Sequence, residues 1–285
     1  MKFKIALIQT ELKFGERNYN LDKLEDFIRR ASKDGANIIV LPESCNIGYR
    51  DSAMAQMVAM AETEDDVTIT RMKSLAKELG VYLIVPILIR QEDGCRNVAF
   101  LLNDKGESMG CYAKSHLVPP NESAALLGGD RYPVFDTKYG RIGMIICNDL
   151  CHPEAARLLG IQNIDMLFVP AAWRYAGDWG YWLKFMAQTR AVENGGIVVG
   201  ICNRVGVEDG VPFSGQSVLV NPNGTIAAFA EFPKDEIVMA EFSLEKMRDY
   251  KKNVAGGNMG TDRRPYSYGA LCDPVCVPEF SHVGN

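Results

Sequence analysis

The chain has 285 residues, 47% of them hydrophobic and 24% charged, which is ordinary globular composition and enough for a sizeable core in one large domain or two small ones. A net charge of −5 with no Lys/Arg cluster speaks against a nucleic-acid partner held on a broad basic surface. The apolar runs are too short to span a bilayer and no secretory h-region opens the chain, so a cytoplasmic protein without a membrane partner is expected.

Residues 4–9 alternate into an apolar strand, and Leu21, Leu24, Phe27, Ile28 and Ala31 then recur at helical spacing until Gly35 ends the helix. Residues 37–41 form a second buried strand that runs into Pro42-Glu43. A second helix carries Val67, Met72, Leu75, Ala76 and Leu79 before Gly80, and residues 81–89 read as a third strand. Residues 97–102 and 107–114 flank the turn Asn103-Asp-Lys-Gly106 as a hairpin. The polar, proline-bearing segment 116–133 is long enough to be a site-lining loop. Next comes an apolar, β-branched run, residues 142–146, that reads as a buried strand and breaks off at Cys147, and Pro153 opens a new helix through Leu159.

The second half repeats this rhythm: a strand at 165–169, a loop holding Trp173 and Tyr175, a helix near 179–194, and a strand at 196–202. A hairpin around Asn221-Pro-Asn-Gly224, a strand at 236–242 and a short helix close the regular part. Strands alternating with helices and interrupted by hairpins predict an α/β layered fold with mixed sheets. No low-complexity linker divides the chain, so residues 1–285 read as a single domain, with the Gly-, Pro- and Arg-rich stretch 252–285 as a C-terminal arm. Eight scattered cysteines suit a reducing compartment rather than a disulfide framework. The spacings Cys147-x3-Cys151 and Cys272-x3-Cys276 lack the His pair or CxxC partner of a zinc site.

Three ionisable residues end or follow apolar strands: Glu43, Lys114 and Cys147. If those strand ends share one edge of the fold, a carboxylate, an ammonium and a thiol converge, the residue types of a base, an oxyanion stabiliser and a nucleophile. A free thiol is only about 3% thiolate at neutral pH, so it needs such neighbours to react.

Leu41-Pro-Glu43, Lys114 before His116-Leu-Val-Pro119, and Gly143-Met-Ile-Ile-Cys147-Asn-Asp149 together resemble the three signature blocks of the nitrilase superfamily of carbon–nitrogen hydrolases. Arg190-Ala-Val-Glu-Asn194, Asn203-Arg-Val-Gly206, Phe213-Ser-Gly-Gln-Ser217 and Asn221-Pro-Asn-Gly224 resemble that family's later blocks in the right order, so the likeness covers roughly residues 3–242. The resemblance implies a four-layer α-β-β-α sandwich, homodimers or higher homo-oligomers, and a small-molecule substrate with no metal or cofactor. It implies Cys147 as nucleophile, Glu43 as general base and acid, Lys114 with the backbone N–H of Asn148 as oxyanion donors, and Glu122, ahead of Gly129-Asp130, as the second glutamate.

Asp149 two residues after the thiol resembles the amidase and carbamoylase branches, where true nitrilases usually carry Glu. The paired arginines of the carbamoyl-amino-acid hydrolases are replaced by Leu150-Cys151, whereas Pro153-Glu-Ala-Ala-Arg157 resembles the carbamoylputrescine and general amidase branches. Tyr49, His152, Trp173, Arg174 and Tyr175 are the candidate substrate-binding residues, and Cys151 is expected to pack or to form pocket wall. The function expected is hydrolysis of a small linear amide or N-carbamoyl compound through a thioester. Nitrile hydrolysis or acyl transfer to an amine by the same site, and a noncatalytic scaffold on this fold, are the alternatives.

Overall fold

The computed structural model describes residues 1–174, 181–230, 234–253 and 262–272. The first half is built from β1 (Lys2–Gln9), α1 (Arg17–Lys33), β2 (Ile38–Val40), α2 (Met54–Ala59), α3 (Val67–Leu79), β3 (Tyr82–Gln91), β4 (Gly94–Leu102), β5 (Ser108–Ala113) and α4 (Asn121–Ala125). The second half holds β6 (Val134–Thr137), β7 (Gly140–Met144), α5 (Pro153–Gly160), β8 (Met166–Ala171), α6 (Trp182–Glu193) and β9 (Val198–Asn203). It continues with β10 (Val207–Glu208), β11 (Val211–Pro212), β12 (Val218–Val220), β13 (Ile226–Phe229), β14 (Glu236–Ser243) and α7 (Leu244–Asn253).

Two mixed six-stranded sheets result, ordered β14-β1-β2-β3-β4-β5 and β13-β12-β9-β8-β7-β6, beside the small β10-β11 ribbon. In the first sheet β1, β2 and β3 run parallel while β14, β4 and β5 pair antiparallel; in the second, β7, β8 and β9 form the parallel centre. The period-2 alternation of the strands sorts their side chains into two cores. Ala6, Ile8, Ile39, Leu41, Leu83 and Val85 pack under α1 and α3 with Leu24, Ile28, Met72 and Leu75. Their alternates Ile5, Leu7, Ile38, Val40 and Ile84 meet Ile142, Met144 and the rest of the second sheet, which α5 and α6 cover on its far side. Helix, sheet, sheet, helix is therefore the layer order, as the sequence predicts.

Boundaries fall close to expectation. Gly80 takes φ +65 as the left-handed residue that ends α3, and Gly106 takes φ +76 in the β4–β5 turn. The strand expected at 142–146 is β7, shifted two residues earlier, while the short helices α2 and α4, the four-residue β6 that pairs with β7, and the β10–β11 ribbon are additions to the sequence reading. Among the described residues no helix is long and apolar enough to cross a membrane. Of the expected C-terminal arm, residues 252–253 finish α7 and 262–272 carry two short 3-10 turns; the remainder lies outside the described residues.

Candidate active site

Glu43, Lys114 and Cys147 lie just beyond the C-terminal ends of β2, β5 and β7. Parallel strands end there in loops whose side chains are free to converge in a crevice. The structure brings the three together with Glu122. Lys114 Nζ lies 2.9 Å from Glu43 Oε1 and 2.9 Å from Glu122 Oε1. All three side chains are wholly shielded from solvent. Burying charges at this depth is costly unless each is paired and hydrogen-bonded. Here they are: Glu43 Oε1 accepts a 2.7 Å bond from Asn97 Nδ2, Glu43 Oε2 accepts a 2.9 Å bond from the Ala172 N–H, and Glu122 Oε2 accepts a 2.8 Å bond from the Val118 N–H.

Glu122 reaches this cluster because α4 turns it inward. A short approach also matters nearby: Gly129 lies so close to the Ala113 carbonyl that no Cβ could fit, and its N–H donates to Lys114 O at 2.9 Å. That contact fastens the far end of the 116–133 loop to the strand end carrying the ammonium.

Cys147 stands at the start of a 3-10 turn, Cys147–Cys151, with φ +45, a left-handed conformation that is strained for a residue with a side chain. Asp149 holds the turn. Its buried carboxylate accepts bonds from the N–H groups of Ile146 at 2.9 Å and His116 at 2.8 Å and from the Tyr112 hydroxyl at 2.7 Å. Ala172, whose N–H binds Glu43 Oε2, comes from the second sheet and lines the same cavity as Cys147.

The electrostatics follow from burial and neighbours. Burial, reinforced by Glu43, pushes the Cys147 thiol well above its ordinary value, and Lys114 only partly opposes this. Burial alone would push the Lys114 ammonium down, but Glu43, Cys147 and Glu122 more than offset it and hold it well above its usual range. Burial likewise raises Glu122, with Lys114 pulling the other way. The resting site is thus a neutral thiol beside a firmly charged ammonium, which calls for a base acting during attack rather than a preformed thiolate.

Above the cluster is a cavity of about 210 Å³ lined by Tyr49, Asp51, Val118, Cys147, Asn148, Ala172, Trp173 and Arg174. Four sequence-predicted residues besides the thiol are therefore at the cavity: Tyr49, Asn148, Trp173 and Arg174. His152 is not. Its ring stacks on His116 with centroids 3.7 Å apart, and His116 Nδ1 is tied to Asp149 at 2.8 Å, so the pair braces the 3-10 turn. Cys151 is exposed at the end of that turn rather than packed or lining a wall. Tyr175 lies outside the described residues.

Asn97 is the main residue that sequence reasoning missed. It bridges Glu43 and, at 3.3 Å, Glu122 Oε1, while its own carbonyl accepts the Lys114 N–H at 2.9 Å. The signal was an amide opening the otherwise apolar run Asn97-Val-Ala-Phe-Leu-Leu102.

A buried carboxylate–ammonium–thiol cluster at one edge of a two-sheet α/β sandwich places the protein among enzymes that act on carbon–nitrogen bonds, and the comparisons agree. The carbon-nitrogen hydrolase model matches residues 4–252. The chain is 31% identical to the N-carbamoylputrescine amidase of Solanum lycopersicum over 88% of its own length and 89% of that protein's. It is 27% identical to a probable nitrilase of Schizosaccharomyces pombe over 96% and 100% of the two chains. Among solved structures, a glutamate-to-glutamine mutant of the amidase from Nesterenkonia sp. AN1, carrying the acetamide moiety of fluoroacetamide on its active-site cysteine, superposes with a TM-score of 0.80. That match is at 26% identity and covers 94% of this chain and 96% of that one. The chain belongs to the carbon–nitrogen hydrolase family, the nitrilase superfamily, and is a carbon–nitrogen hydrolase.

Proposed function

We propose that the protein hydrolyses a small linear amide or N-carbamoyl compound through a thioester on Cys147. The observation that carries this reading is the buried Lys114 ammonium held between Glu43 and Glu122 at a cavity that Cys147 lines together with Ala172, whose N–H binds the other Glu43 oxygen. Glu43 takes the thiol proton as sulfur attacks the carbonyl carbon, and Lys114 with the Asn148 N–H receives the developing oxyanion. As the tetrahedral species collapses, the C–N bond breaks and the proton on Glu43 passes to the departing ammonia or amine. Glu43 then deprotonates a water that opens the thioester, and the proton returns to sulfur as the acid leaves. Glu122 fixes the Lys114 ammonium rather than moving protons, and Tyr49, Trp173 and Arg174 shape the cavity around the substrate.

The likeness to the tomato N-carbamoylputrescine amidase and to the Nesterenkonia amidase supports an amide over a nitrile, as does Asp149 in place of the glutamate usual two residues past a nitrilase nucleophile. Quenching turnover of a panel of amides, carbamoyl amines and nitriles should give an acyl mass on the peptide containing Cys147, with ammonia or amine released in step with acid. Acyl mass on another residue, or none with any member of the panel, would sink the reading. Product formation that requires an added amine would make the protein a transferase, and acid formed from nitriles alone would make it a nitrilase.

A cytoplasmic homo-oligomer completes the proposal. Exposed Tyr181, Phe185 and Val192 on and beside α6 support self-association, and sedimentation as a monomer at micromolar concentration would remove that part.

A further inference from the structure

One wall residue of the cavity has no part in the chemistry above. Asp51 opens a single 3-10 turn, Asp51–Ala53, two residues after Tyr49. Its Oδ2 accepts a 2.9 Å bond from Asn121 Nδ2 on α4. Its Oδ1 is buried and has no hydrogen-bond partner, and Asp51 forms no ion pair among the described residues. Arg174, which lines the same cavity, does not close on it. A shielded carboxylate oxygen without a donor is costly for a folded protein to keep, and a donor brought by a ligand recovers that cost.

The charge of the surroundings says which donor fits. Lys114 is already paired with Glu43 and Glu122. Counting Asp51, three carboxylates then face two cations, Lys114 and Arg174, around one small space. A substrate bringing a positive charge to Asp51 balances the set, and an anion does not.

We infer that Asp51 is a specificity-determining residue whose free oxygen accepts a hydrogen bond from a cationic nitrogen of the substrate, so that the favoured substrates are small amides or ureas ending in an ammonium group. The inference rests on the amidase reading and narrows it. A cavity of about 210 Å³ lies below the roughly 300 to 1,000 Å³ of sites for drug-sized ligands, which suits a short linear chain with the amide carbonyl at Cys147 and the ammonium at Asp51.

The test compares γ-aminobutyramide with valeramide, which differ only in a terminal ammonium against a methyl group, and with succinamic acid, which carries a carboxylate there. The parent enzyme should favour γ-aminobutyramide in kcat/KM by about tenfold or more over both. Asp51→Asn should bring the γ-aminobutyramide to valeramide ratio close to unity while valeramide hydrolysis stays within about threefold of the parent. Asn121→Ala, which removes the Oδ2 partner and leaves the carboxylate, should keep the preference. A parent without the preference, a preference for succinamic acid, equal losses on both amides in Asp51→Asn, or an Asn121→Ala variant that mimics it would each overturn the inference. Should neither amide be hydrolysed, the amidase reading is decided by the wider panel above and not by this pair. Calorimetric binding to Cys147→Ala then decides Asp51 separately: γ-aminobutyramide should bind about tenfold more weakly once Asp51→Asn is added, and unchanged affinity would overturn it.

Discussion

Cys147→Ala is expected to lower kcat for amide hydrolysis by about 10⁴-fold or more, because it removes the only atom able to form the covalent intermediate, whereas substrate affinity stays near that of the parent. The side chain adds little to stability through polar contacts, and the cavity it leaves is small and beside an existing one, so the variant should fold normally. Parallel measurement of ammonia release and of substrate binding checks both halves. Retained turnover would mean that another group attacks. The same pair of proteins tests the electrostatics: since burial and Glu43 hold the thiol well above its ordinary value, the difference in thiolate absorbance between parent and variant should be absent at neutral pH and emerge only in strongly alkaline solution. A signal already present at pH ~7 would show a preformed thiolate and displace Glu43 from its role as base.

Lys114→Met should be worse than a catalytic defect. The ammonium bridges two wholly buried carboxylates, and its removal leaves them facing each other in a low-dielectric interior, a change that costs about 3 to 5 kcal/mol in comparable buried pairs. Loss of an oxyanion donor adds a fall in kcat of about 10² to 10³-fold. In the parent the folded-state value of Lys114 lies above its ordinary 10.5, so its contribution is fully present below that pH and is lost as pH rises through the folded value, where the unfolded chain has already released the proton. In the variant the alkaline loss assigned to Lys114 should vanish. The unpaired carboxylates, favouring protonation in the fold, should make the variant gain stability on acidification from neutral pH. Urea unfolding across pH, read beside kcat, separates the two effects. A variant as stable as the parent at neutral pH would argue against the charged bridge.

The layers were legible because each depends on a local rhythm. Ile5 and Leu7 alternate with Ala6 and Ile8 along one strand, and that alternation alone assigns them to the two cores. Strand β7 was legible as an apolar, β-branched run, but its partner β6 was not, since four residues leave too short a pattern, and one-turn α4 has no repeat at all. The same division holds in the site. Glu43, Lys114 and Cys147 stand out as ionisable residues at the ends of apolar runs. Glu122, in contrast, reads like any loop glutamate until α4 folds it inward, and its position came from resemblance rather than periodicity. Asn97 and the free oxygen of Asp51 depend on which groups become neighbours across distant parts of the chain. His152 shows the same limit: proximity to the thiol in sequence says nothing of its stacking on His116, and it is not among the residues that line the cavity.

Glu43 and Lys114 come from the first sheet, whereas Cys147 and the Ala172 N–H come from the second. The cluster is thus shared between two sheets, and Cys147 meets Glu43 and Lys114 only across their packing. The site is therefore complete only when the two sheets are docked, and a substitution deep between them, far from any substrate, can silence the enzyme by letting the sheets slip rather than by unfolding either.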